Sequence, residues 1–171
     1  MRRFARWAAL GGLAALEALI ALAYYDRGTW WHFLLHQYVG WGLGLAVAGL
    51  LSLARRRSVR PLPFLLLGQL VSIVPDLMFR YLRMPHEPSM DLWVGHISLH
   101  TGPSPLLVAL GVLLLGGAGW LLASQQPARR SALAVGTSLA GPILLLVACL
   151  LAAPIPHALH DYPSSTASVV P

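Results

Sequence analysis

Three pairs of chemically able side chains stand four residues apart: His32/His36, His96/His100 and His157/Asp161. A fourth group, Asp76, follows Pro75 inside an apolar run. On a helix, residues four apart share a face, with Cβ atoms about 6 Å from each other. That spacing suits two ligands on one ion, or one ligand and the group that orients it. Zinc takes histidine nitrogen and aspartate oxygen, and a catalytic zinc site keeps one position for water. Water held there loses a proton near neutral pH and becomes a nucleophile. Ionisable side chains at membrane depth are functional candidates by default. His36, Asp76, His96, His100, His157 and Asp161 therefore read as the ligand set of a divalent metal, zinc by donor type. His32 reads as an interfacial aromatic beside Trp30 and Trp31, and His86, Glu87 and Asp91 as a solvated loop.

The elements that must position these groups are membrane elements. The chain is 57% hydrophobic and 11% charged, whereas a soluble domain carries about 25% charged residues. Several Leu-, Ala- and Gly-rich runs reach the roughly 20 residues that a helix needs to cross hydrocarbon. They show no alternation of period two, and only helices or closed barrels satisfy every backbone group in lipid. The expected fold is all-α: a polytopic membrane bundle of about five transmembrane helices. One helical domain is expected over 1–162, followed by a loose tail over 163–171. The single cysteine, Cys149, lies in an apolar run and cannot form an internal disulfide.

The apolar runs are placed at Trp7–Tyr25, Thr29–Ala54, Pro61–Leu82, Pro103–Ala123 and Ala132–Ala153. Ala21-Leu22-Ala23 has the form of a signal-peptidase site, but the length of the run and Glu17 within it favour a retained anchor. Gly40, Gly44 and Ala48 form a stripe of small residues that lets a neighbouring helix approach closely. Glu17 is expected to face the bundle beside a polar group, because a lipid-facing charge costs about 2.5–3.5 kcal/mol on insertion scales.

The sequence pI of about 10.5 does not imply nucleic acid. All twelve basic residues are arginine, and nine of them cluster at the N-terminus and in two loops, where positive-inside topology requires them. With five spans, the N-terminus lies inside and the C-terminus outside. All seven histidines and five of the six acidic residues then fall at the outer side.

A family resemblance attaches to these residues. Gly68–Asp76, GQLVSIVPD, resembles the lG.llPDlD segment of the membrane-bound metal-dependent hydrolases of the bacterial inner membrane. His36 before a glycine-rich helix resembles their N-terminal histidine. GHISLHTGPSPLLVAL resembles their H…THS segment, with His100 as the match, and HALHD resembles their late H-x-x-x-D, matching His157 and Asp161. The order of these motifs is similar, more remotely, to that of the zinc-dependent phospholipase C and P1 nuclease group. The likeness runs over about residues 32 to 162. Met78 stands where the family has a second acid, the Arg-Gly of its HRG is absent, and the His96–His100 spacing is one residue short.

The resemblance implies an integral metal-dependent hydrolase of the bacterial inner (plasma) membrane, and the arginine asymmetry puts its metal at the outer face. Its substrate would be a phosphoester such as a lipid headgroup, and its partners membrane lipid and a small-molecule or lipid substrate. The competing class is a non-enzymatic membrane protein, either a structural subunit or a bis-His haem protein using His36 and His100. Covalent c-type haem is excluded because CxxCH is absent. The arginine asymmetry makes a direct prediction: reporter fusions after Arg57 and Arg130 read cytoplasmic, and fusions after Glu87 and Asp161 read external. A cytoplasmic reading at Glu87 would place the ligands on opposite faces and end the shared-site reading.

Overall fold

The computed structural model describes residues 2–25, 30–83, 93, 96, 99, 104–125 and 131–152. Among them are five helices and no strand: α1 (Arg2–Tyr25), α2 (Trp30–Ala54), α3 (Leu62–Leu82), α4 (Pro105–Gln125) and α5 (Ser131–Leu150). Four of these, α2 to α5, are long and apolar enough to cross a membrane, and the apolar part of α1, Ala14–Tyr25, is shorter. The protein is thus an all-helical bundle of membrane-spanning type.

Local chemistry sets the helix ends. α3 begins at Pro61-Leu62-Pro63 and α4 at Pro105, where the missing proline N–H removes nothing that a helix start would use. α2 is closed off just past Ala54 by Arg56, in the left-handed region at φ 50. There the Arg57 N–H donates to the Ser52 carbonyl (3.2 Å) and the Arg56 N–H to that of Leu53 (3.1 Å). This is the double-bonded stop that usually carries glycine. α3 also stops at a residue in the left-handed region, Arg83 at φ 54, whose own N–H donates to the Met78 carbonyl five residues back.

α2 is the centre of the bundle, with α3 and α4 packed on different faces and glycine at each contact. A Cβ on Gly68 of α3 would lie 2.0 Å from the Gly40 carbonyl oxygen. A Cβ on Gly116 of α4 would lie 2.0 Å from that of Gly42. Side chains would hold these backbones apart, so the small residues set the helix spacing, as the Gly40/Gly44 stripe predicts. Between α2, α4 and α5 the core is Leu35, Val39, Ala109, Val112 and Leu145, joined by Leu99 from the connection before α4.

α1 docks differently. It reaches α3 through two polar pairs, Gln69 Nε2 donating to Glu17 Oε2 and Tyr24 Oη donating to Asp76 Oδ2. The pairs are one heptad apart on both helices, so α1 and α3 run side by side in the same direction. Gln69 also accepts from Trp41 Nε1 of α2 (2.7 Å). Glu17 therefore faces the bundle beside a polar group, as its position requires.

The glycine contacts predict a contrast. Gly116→Val drives a side chain into the Gly42 backbone and should lower stability by about 3 kcal/mol or more, at or above the upper end of overpacking costs. Gly136→Val meets nothing within 4 Å of its Cβ and should be close to neutral. Unfolding of the detergent-solubilised protein in a denaturing surfactant measures both. Equal effects would contradict the packing described.

Candidate metal centre

Three helix ends and one connection meet at a single carboxylate. α2 contributes His32 and His36 from its first two turns, on one face because they are four apart. α3 contributes Asp76 near its C-terminal end, and α1 contributes Tyr24 at its last turn. His96 is helical and buried in the stretch before α4. The close Gly40–Gly68 contact draws α2 and α3 together one to two turns below.

Asp76 Oδ2 faces His32 Nε2 at 3.0 Å and His36 Nε2 at 3.2 Å. Its other oxygen, Oδ1, faces His96 Nε2 at 3.2 Å. One ligand atom from each of His32, His36 and Asp76 can be chosen so that all lie within 4.8 Å of one another. The three imidazoles pack as a group. His36 and His96 are stacked with centroids 4.9 Å apart, and His32 lies 4.7 Å from His36. His36 and His96 are buried to 1% and 2% exposure, while the Asp76 side chain keeps 15%.

A second ring of contacts fixes the first. His36 Nδ1 lies 2.9 Å from Ser72 Oγ, on the turn of α3 immediately before Asp76. When this hydroxyl accepts the Nδ1 proton, the Nε2 lone pair is left facing the carboxylate side, the usual arrangement around a ligating histidine. Pro75 has no N–H, so the helix bond to the Val71 carbonyl is missing next to Asp76. Among the described side chains, the ion-pair partners of Asp76 are the three histidines alone, with no arginine.

His36, Asp76 and His96 of the expected ligand set thus come together. His32 joins them as a full member rather than as an interfacial aromatic. Its signal was the four-residue spacing to His36, which outweighs the neighbouring tryptophans. Tyr24 and Ser72 were not singled out. Ser72 could have been, since it lies one turn from Asp76 on the same face. Tyr24 depends on the pairing of α1 with α3. His100, His157 and Asp161 lie outside the described residues, as do His86, Glu87 and the tail. Comparisons with protein-family models, with curated proteins and with solved structures find no match to this chain.

The geometry predicts energetic coupling between Tyr24 and Asp76. A hydrogen bond to a charged group contributes about 1.5–3 kcal/mol. Tyr24→Phe should destabilise the bundle by about that much, and far less once Asp76→Asn is present. A double-mutant cycle on unfolding free energy reads the interaction, and strict additivity would contradict the contact.

Proposed function

We propose that the protein is an integral membrane metalloprotein that holds a divalent ion, zinc by donor type, with His32, His36, His96 and Asp76, and that it hydrolyses a phosphoester. One observation carries the metal reading: three imidazole nitrogens converge on one largely buried carboxylate, and among the described side chains no arginine accompanies it. An arginine would neutralise Asp76 permanently and offer no lone pair. Among the described side chains, the three imidazoles in their neutral form would leave the negative charge of Asp76 uncompensated among apolar helices, which is costly there, and they would supply nitrogen donors around it. A divalent cation answers both the charge and the lone pairs.

The distances support the same reading. Bonds of 2.0–2.2 Å in a tetrahedral centre put neighbouring ligand atoms about 3.3–3.6 Å apart. The contacts of 3.0–3.2 Å around Asp76 need to open by only a few tenths of an ångström. His32, His36 and Asp76 would hold the ion directly. His96 steadies the carboxylate through Oδ1, Tyr24 holds it from α1, and Ser72 fixes the tautomer of His36. A divalent ion supplies Lewis acidity there and lowers the pKa of coordinated water.

The reaction class rests on the resemblance to the membrane-bound hydrolases. A lipid headgroup is the phosphoester that fits a site at the ends of spanning helices. Under the arginine rule this end would face outward, and the resemblance to those hydrolases supports a bacterial inner membrane as its location. Haem suits the site less well. Both ring nitrogens of His36 already face side chains, Ser72 and Asp76, so axial ligation through His36 Nε2 would displace Asp76.

Elemental analysis of the purified protein tests the metal half. The reading predicts about one equivalent of divalent metal, lost in His36→Ala and Asp76→Ala and kept in His86→Ala. Ser72→Ala should weaken binding by about 10–100-fold, the usual effect of removing a partner that orients a ligand. Metal retained in full by Asp76→Ala would overturn the site. Release of a headgroup from phospholipid by metal-loaded protein, abolished by chelation, tests the hydrolytic half, and a loaded but inert protein would refute that half alone.

A further inference from the structure

The turn joining α2 to α3 carries Arg55, Arg56, Arg57 and Arg60, all exposed. It lies at the far end of α2 from the histidines. From His36 to Arg55 the helix rises about 28 Å at 1.5 Å per residue. No Asp or Glu occurs anywhere from 27 to 75, and among the described residues none of the four arginines forms an ion pair with an acid.

This turn has a built conformation. Arg56 adopts φ 50, a region that is unfavourable for a residue with a Cβ and is usually filled by glycine at a helix stop. Val59 is tethered twice. Its N–H donates to Ser52 Oγ (3.0 Å), and its carbonyl accepts from Trp120 Nε1 of α4 (3.0 Å). Ser52 is itself buried and donates to the Ala48 carbonyl (2.7 Å). Positive-inside topology explains arginines at this end of the bundle. It does not explain an arginine in place of glycine at position 56, nor two side chains spent on fixing the backbone of one loop residue.

We propose that the α2–α3 turn is a preorganised site for the headgroup of an anionic phospholipid, whose phosphodiester is held by Arg55, Arg56, Arg57 and Arg60. Guanidinium groups pair with phosphate oxygens in a two-pronged geometry. Clusters of four or more basic residues beside a spanning helix attract anionic lipid. A tethered turn presents them with less ordering left to do on binding. The turn joins two spanning helices, which puts the guanidinium groups at headgroup depth. Leu67 and Leu70, three residues apart on one face of α3, are 58% and 48% exposed, an apolar surface for the acyl chains. A lipid, rather than free phosphate, fits both features.

Native mass spectrometry of the whole chain tests this, in nonionic detergent with equal phosphatidylglycerol and phosphatidylcholine. The wild type should retain phosphatidylglycerol preferentially, and added inorganic phosphate should not displace it. Arg56→Gly relieves the backbone and folds at least as well, yet should bind phosphatidylglycerol roughly fivefold more weakly. Replacing all four arginines by glutamine should abolish the preference. Trp120→Phe keeps every charge but frees Val59, and should weaken the preference too. Equal retention of the two lipids by the wild type, displacement by phosphate, or full preference in Arg56→Gly or the fourfold variant would overturn the proposal. Full preference in Trp120→Phe would overturn its claim that the turn is preorganised.

Discussion

A carboxylate set among packed apolar helices must be matched by fixed partners, because water is not there to solvate it. Asp76 meets that demand with side chains from three other parts of the chain: Tyr24 on α1, His32 and His36 on α2, and His96 before α4. Much of the architecture follows from this convergence. α1 is attached to α3 largely through polar contacts, one of which ends on Asp76 itself. The first two turns of α2 must approach the end of α3 closely enough for imidazole nitrogens to reach a short aspartate side chain.

Glycine makes that approach possible. The backbones of Gly40 and Gly68 meet where any side chain would intervene, and α2 meets α4 in the same manner at Gly42 and Gly116. The outer faces stay rich in exposed aliphatic side chains, as on α5 at Ile143, Leu146 and Leu150. Lipid does not drive such helices together through hydrophobicity, so close packing and interhelical polar contacts must supply the association. The Glu17–Gln69–Trp41 chain does this midway along the bundle, and the Asp76 cluster does it at one end.

The helices were legible because their signals are long and redundant. α2 is expected over 29–54 and spans 30–54, and α3 closes at Leu82 as expected. Arginine clusters and prolines mark these ends independently of the apolar runs. Three of the converging side chains were legible as well: Asp76 and His36 lie inside apolar runs, and His96 stands four residues before His100. The rest depended on contacts that no local pattern encodes. His32 sits among tryptophans whose interfacial role hides it, although its spacing to His36 is a ligand spacing. Tyr24 resembles any residue of an aromatic belt until α1 is seen beside α3, where its offset from Glu17 matches that of Asp76 from Gln69.

X-ray absorption at the metal edge of the purified, metal-loaded protein tests the central claim most directly, because it reports the donor atoms themselves. The account predicts a shell of nitrogen and oxygen alone at about 2.0–2.2 Å, with the outer-shell scattering of imidazole rings. A sulfur shell at about 2.3 Å, which would point to Cys149 or a contaminating site, or a first shell without imidazole scattering, would contradict it.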